Sequence, residues 1–172
     1  MISRIRHPTG EPSSRAAQRG FTLIEMSVTL ALLALLASVA FPLTQMAQRR
    51  VQEAELRRSL RDIRQAIDAY HKASEGGIVA RKADATGYPP DLTALVDGVR
   101  DARDPSGSRQ LYFMRRLPRD PMCHCPSLSA IETWRVRSYD SPPDAPSEGD
   151  DVFDVYSSSD AEALDGTFYR DW

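Results

Sequence analysis

The strongest feature of the hydrophobic pattern is an almost continuous apolar run from Phe21 to Phe41. At about 1.5 Å of rise per residue, this run forms roughly 30 Å of helix, which matches the hydrocarbon core of a bilayer. One carboxylate, Glu25, lies near the start of the run. Because an acid inside a membrane segment is costly and is usually partnered, the pattern predicts a membrane helix with Glu25 as a candidate functional residue.

A second interpretation of Glu25 concerns the local start of the helix. Thr22 and Glu25 have the spacing of a capping box, in which each side chain binds a free backbone N–H of the first turn. A negative charge in that turn also suits the helix dipole. Capping does not explain why an acid lies inside an apolar run, so both interpretations stay open on the residues alone.

Helical periodicity continues after Pro42, now with one apolar face instead of an apolar surface all round. The residues of that face are three or four positions apart, as a 3.6-residue period requires: Leu56, Leu60, Ile63, Ile67 and Tyr70. Gly76 and Gly77 predict the end of the helix. Pro42 at the junction removes one backbone hydrogen bond and is able to kink the helix.

The remainder of the chain predicts a small, loop-rich domain with strands near its end. Prolines and glycines dominate residues 78–130, where only a short helix over residues 91–96 is expected. Alternating patterns predict antiparallel strands at residues 133–139 and 152–157, joined by a proline-rich and acidic turn at residues 141–151. A third strand is predicted at residues 167–172. The fold class is therefore α+β.

The segment Arg19-Gly20-Phe21-Thr22-Leu23-Ile24-Glu25, followed by the apolar run and Pro42, resembles the N-terminal signature of type IV pilins and type II secretion pseudopilins. The resemblance implies that a prepilin peptidase cleaves between Gly20 and Phe21 and that Phe21 is then N-methylated. It also implies that Glu25 promotes assembly of subunits into a helical filament. Pro42 falls at the twenty-second mature position of the pattern.

Weaker similarities extend the resemblance towards the major, G-type pseudopilin. They are the order of long helix, loop and sheet, Tyr88-Pro89, the segment at residues 117–121 and the C-terminal Trp172. The implied fold is pilin-like, with a long N-terminal helix packed on a small antiparallel sheet. The implied segments are a leader (1–20), a transmembrane and assembly helix (21–41), its amphipathic continuation (42–77) and a periplasmic domain (78–172).

The function implied is that of a pseudopilus subunit in the bacterial inner membrane, with a single span and a periplasmic C-terminal domain. Its implied partners are other copies of itself, other pseudopilins, the prepilin peptidase, the inner-membrane assembly platform and the membrane. Two alternatives stay open: a type IV pilus subunit for adhesion or DNA uptake, and an anchored binding module that does not polymerise. A conventional signal-peptidase site at Ser38-Val39-Ala40, before Phe41, is a competing route of processing.

Charge gives little support for a nucleic-acid partner. The net charge is −2, and the arginines between Arg49 and Arg64 are interleaved with Glu53, Glu55 and Asp62. This mixture predicts a solvated helix face, with lipid headgroups or neighbouring subunits as further contacts. The chain also lacks a phosphate-binding glycine loop, an HExxH motif and a GxSxG motif, so no enzymatic activity is expected.

Two places invite a metal interpretation. Major pseudopilins bind calcium near the C-terminus, and the resemblance makes Asp160 and Asp165 the candidate ligands, although the family's adjacent acidic pair is missing. Calcium prefers six to eight oxygens, which nearby acids could supply: Asp150, Asp151 and Glu162. Cys123-His124-Cys125 has poor spacing for zinc, and the sequence leaves a disulfide and free thiols open. No confident metal or cofactor is expected.

Overall fold

A computed structural model describes residues 20–82 and 84–172. It contains one long helix and two small antiparallel sheets, so the expected α+β, pilin-like architecture is confirmed. The elements in chain order are α1 (Leu23–Glu75), α2 (Ala94–Asp97), β1 (Val99–Arg100), β2 (Gln110–Leu111), β3 (Trp134–Arg137) and β4 (Asp154–Ser157). Single turns of 3-10 helix occur at Ile131–Thr133 and Tyr169–Asp171. The predicted leader lies outside the described residues, apart from Gly20.

The chain divides into two compact units, with the boundary between Leu43 and Thr44 inside α1. The first unit contains the start of α1, and the large apolar side chains of this stretch of the helix are exposed. α1 includes a stretch long and apolar enough to cross a membrane by length and composition. The second unit carries the hydrophobic core.

The core of the second unit forms around one face of α1. The predicted face is confirmed, since every one of its members is at most 7% exposed: Leu56, Leu60, Ile63, Ile67 and Tyr70. They pack with apolar residues of α2, of the loops and of the second sheet, including Leu95, Leu117, Trp134 and Val155. Burial of each large aliphatic side chain contributes about 1.5–3 kcal/mol to folding. The 3.6-residue pattern therefore located the core correctly.

α1 ends where its glycines predict. The N–H of Gly77 donates to the carbonyl of Ser74 at 2.9 Å, and that of Ile78 donates to the carbonyl of Ala73 at 2.9 Å. Gly77 has a φ of 68°, a left-handed conformation that a side chain would oppose. The short helix α2 begins at Ala94, three residues later than expected, and residues 91–93 form a turn in which the Asp91 carboxylate accepts the N–H of Ala94 at 3.0 Å.

The two predicted strands before and after the acidic turn pair as expected. β3 and β4 are antiparallel, with Trp134 opposite Ser157 and Arg137 opposite Asp154. Trp134 is buried, and its indole N–H donates to the carbonyl of Pro118 at 2.8 Å. The sheet thereby connects the loop before it to the core.

The sequence interpretation missed the β1–β2 ladder, which has two residues in each strand. Asp104 shapes the connecting loop by accepting backbone N–H groups of Ser106 at 2.9 Å, Ser108 at 3.0 Å and Arg109 at 2.8 Å. The bond from the Ser106 hydroxyl, reinforced by the backbone N–H groups of Arg109 and Ser106, lowers the pKa of Asp104 to about 2. Two residues per strand are too few for an alternating pattern to be recognisable.

The prediction of a third strand at residues 167–172 was wrong. The end of the chain forms a 3-10 turn, Tyr169–Asp171, after a single isolated bridge between Glu162 and Phe168. Tyr169 is 1% exposed, and its hydroxyl donates to the Glu53 carboxylate at 2.9 Å. The turn places the Tyr169 ring against α1. The alternating pattern of a strand does not call for this contact.

Candidate assembly and processing site

The predicted cleavage point lies in exposed backbone outside the helix. Gly20, Phe21 and Thr22 precede α1, and Gly20 and Phe21 are both exposed. A side chain at Gly20 would meet nothing within 4 Å, so the fold does not itself require glycine there.

Thr22 caps the start of α1. Its hydroxyl accepts the N–H of Glu25 at 3.2 Å, and its carbonyl accepts the N–H of Met26 at 3.1 Å. The capping interpretation is thus confirmed for Thr22. Within residues 20–82 and 84–172, however, the Glu25 carboxylate has no hydrogen-bond or ion-pair partner. Capping leaves the charge of Glu25 available for a group outside this part of the chain.

The other polar side chains of the apolar run are satisfied by their own helix. Ser27 donates to the carbonyl of Leu23 at 2.9 Å, Thr29 to that of Met26 at 2.9 Å, and Ser38 to that of Leu35 at 2.7 Å. Such back-bonding lets hydroxyls lie in an apolar environment at little cost. Glu25 is therefore different in kind from the hydroxyl residues that share the segment.

Apolar side chains surround this part of α1 on every side. Their exposed fractions range from 49% to 86%, in the set Leu23, Ile24, Met26, Val28, Leu30, Leu32, Leu33, Leu35 and Leu36. A helix that is apolar all round is stable when lipid or other helices cover it. The apolar part of α1 thus presents a hydrophobic surface on every side, with one acid, Glu25, near its beginning.

The candidate calcium ligands are engaged with arginines and with a turn. Asp165 forms an ion pair with Arg57 at 2.9 Å and accepts the hydroxyl of Thr167 at 2.6 Å. The bond from Thr167, with the nearby Arg57 cation adding to it, lowers the pKa of Asp165. Asp160 lies 3.5 Å from Arg170 and 3.8 Å from Arg135. In the described part of the chain, no three His, Cys, Asp or Glu side chains are grouped as a metal site would require.

Asp151, another acid named for calcium, is engaged in the fold of its own chain. Asp151 is buried and accepts the hydroxyl of Ser138 and the N–H of Tyr139, each at 2.9 Å, together with the hydroxyl of Thr86. Its carboxylate therefore stabilises the turn between β3 and β4. Cys123 and Cys125 are paired as a disulfide with their Cα atoms 5.3 Å apart, one of the two alternatives that the sequence left open.

The arginines of α1 between Arg49 and Arg64 are only partly solvated, contrary to the expectation of a solvated helix face. Arg64 pairs with Asp154 at 2.7 Å and donates to the carbonyls of Val155 at 3.1 Å and Trp172 at 2.7 Å. The guanidinium of Arg57 lies 4.1 Å from the centre of the Trp172 ring. These contacts connect α1 to the last residues of the chain.

Glu53 and Arg49 complete this attachment. Glu53, which is 9% exposed, accepts the N–H of Leu164 at 2.8 Å as well as the Tyr169 hydroxyl. Arg49 donates to the Tyr169 oxygen at 3.1 Å, and this bond raises the pKa of Arg49. Burial raises the pKa of Tyr169. Sequence patterns gave no signal for these contacts, because the paired residues are more than one hundred positions apart.

Comparison with known proteins agrees with this geometry. A prokaryotic N-terminal methylation motif matches residues 15–41, the region that holds the predicted cleavage point and the apolar run. Type II secretion system core protein G of Aeromonas hydrophila is 29% identical over 107 residues, which cover 60% of this chain and 67% of that protein. The resemblance to G-type pseudopilins is confirmed. No solved structure matches the pseudopilin-like chain.

Proposed function

We propose that this pseudopilin-like protein is a subunit of a type II secretion pseudopilus. In this account the leader, residues 1–20, is removed between Gly20 and Phe21, and Phe21 becomes the methylated N-terminus. Residues 21–41 anchor the subunit in the inner membrane and later pack in the filament. Residues 42–77 continue the helix, and residues 78–172 form the periplasmic domain.

The observation that carries the proposal is the uncovered apolar surface of the first part of α1. Lipid covers such a surface while the subunit waits in the membrane, and neighbouring helices cover it in a filament. Because both environments are apolar, transfer from one to the other costs little hydrophobic free energy. Specific contacts must then decide when assembly occurs and in which register.

Glu25 supplies such a contact. Cleavage after Gly20 creates an α-amino cation on Phe21, and in a filament this cation would pair with Glu25 of an adjoining subunit. Leaving either charge unpaired in an apolar environment costs about 3–5 kcal/mol. The pair would therefore set the axial position of one subunit against the next. The Glu25 carboxylate has no partner within the described residues, so it is available for this contact.

The role proposed is mechanical, without an enzymatic step or a resident cofactor. Processing would require the prepilin peptidase, and assembly would require copies of this chain, other pseudopilins and the inner-membrane assembly platform. The acidic net charge favours no nucleic-acid partner. The filament would act in the periplasm to drive protein export.

Deletion of this protein in its native host tests the proposal. We expect extracellular protein secretion to be lost and to return when the wild-type chain is supplied. Loss of a surface filament with normal secretion would instead support the type IV pilus alternative. Normal secretion and normal surface filaments after deletion would contradict both filament functions and favour the anchored binding module.

A further inference from the structure

We propose that an acidic loop of one copy binds an exposed arginine face on α1 of a neighbouring copy. The acidic loop is residues 140–150, between β3 and β4. The arginine face consists of Arg50, Arg58 and Arg61. The inference rests on the proposed function, because it specifies how the periplasmic parts of polymerised subunits would contact each other.

The acidic loop is held in shape by its own hydrogen bonds. The N–H of Ser138 donates to the carbonyl of Ser147 at 3.0 Å, and the N–H of Ser147 donates to the Ser141 hydroxyl at 3.0 Å. Arg137 donates to the carbonyl of Ser141 at 3.2 Å. The buried Asp151 carboxylate fixes the far end of the loop through Ser138. The loop therefore presents a preformed surface, which reduces the ordering cost of binding.

This preformed surface is anionic. Four of its acids are exposed and form no ion pair within residues 20–82 and 84–172: Asp140, Asp144, Glu148 and Asp150. Four like charges on one short loop repel one another. A cationic partner surface would relieve this repulsion.

α1 carries the complementary charge. Arg49, Arg57 and Arg64 contact the C-terminal segment of their own chain. By contrast, Arg50, Arg58 and Arg61 are exposed, and none forms an ion pair with another residue of the described ranges. Their separations of eight and three residues place them on the same side of a helix, directed away from the buried face. Three unpaired cations thus lie on one solvent-exposed surface.

A second copy fits this surface better than lipid headgroups do. Helix rise from Thr44 to Arg61 is about 25 Å, whereas charges in physiological salt are screened over about 8–10 Å. A membrane surface at the level of Thr44 would leave Arg58 and Arg61 beyond its field and would reach only Arg50, about 9 Å away. In addition, the acidic loop and the arginine face are different patches of one chain. Contacts between different patches are heterologous and extend into open helical filaments when the rotation does not close a ring.

The inference is tested by exchanging the charges in the full chain, expressed with its processing and assembly machinery. One variant carries Arg58→Glu and Arg61→Glu, and a second carries Asp144→Arg and Glu148→Arg. We expect each to lower the sedimentable filament fraction about fivefold, because like charges then face each other at every contact. The variant with all four changes is expected to recover to within about twofold of wild type, since the charge pairs are restored in reverse.

A matched control reverses two exposed arginines outside α1, with Arg100→Glu and Arg115→Glu, and is expected to assemble like wild type. The neutral pair Arg58→Gln and Arg61→Gln should give an intermediate loss, with unchanged thermal unfolding. If wild type does not polymerise, the proposed function is overturned together with this inference. If wild type polymerises but the variant with all four changes has no larger a sedimentable fraction than the two double variants, only the inference is overturned. Lipid or another protein then becomes the partner of the arginines.

Discussion

Replacement of Glu25 with alanine is expected to lower filament assembly by at least about tenfold, while membrane insertion remains unchanged. The structure shows why these two properties separate. Thr22, not the Glu25 carboxylate, caps the helix, so α1 would still begin at the same place. Alanine is also apolar and removes an acid from the span, so insertion is not impaired.

The expected assembly defect comes from the partner that Glu25 would leave behind. An unpaired α-amino cation of Phe21 among packed helices costs about 3–5 kcal/mol. A tenfold loss of assembly corresponds to only about 1.4 kcal/mol, so the expected defect is large enough to measure. The sedimentable fraction and the alkaline-resistant membrane fraction measure the two properties in one culture. Glu55→Ala is the matched control, since Glu55 is exposed on α1 beyond the apolar run. Normal filaments from the Glu25 variant would contradict the proposed pairing.

Replacement of Asp120 with alanine is expected to destabilise the second unit by about 3 kcal/mol. Asp120 is 2% exposed, and its carboxylate accepts the Ser157 hydroxyl at 2.6 Å and the N–H groups of Ser158 at 3.1 Å and Met122 at 2.8 Å. It thus connects the end of β4 to the loop before β3. Alanine would leave three donors without their acceptor inside the protein.

Urea unfolding of the detergent-solubilised chain, followed by the fluorescence of buried Trp134, measures this loss. We expect a lower midpoint with an unchanged slope. Asp144→Ala is the control, because this aspartate is exposed in the acidic loop, and its effect should stay within about 0.5 kcal/mol. A midpoint equal to that of wild type for Asp120→Ala would contradict the structural role of the carboxylate.

Regular elements with repeated patterns could be predicted from the sequence. α1 has several turns with the same buried face and a glycine signal at its end, so both its core residues and its end at Glu75 agree with the prediction. β3 and β4 alternate over enough positions to be recognised. The signature around Gly20 and Glu25 likewise lies in one contiguous segment, which made the resemblance visible.

The parts that escaped prediction depend on contacts between distant residues. Residues 167–172 have the composition of a strand, yet the Tyr169 hydroxyl binds Glu53 on α1 and the chain turns to allow it. The contacts of the arginines of α1 could not be predicted for the same reason. The sequence does not distinguish an arginine that binds Trp172 from one that faces water. Only the tertiary structure separates Arg64 from Arg58.

The central claim is entry into the pilin processing pathway, and the intact mass and N-terminal sequence of the membrane-extracted protein test it most directly. The protein should be expressed together with its native processing machinery. We expect a chain that begins at Phe21 and carries one N-methyl group. A chain that begins at Met1 despite an active prepilin peptidase, or at Phe41, would contradict the account.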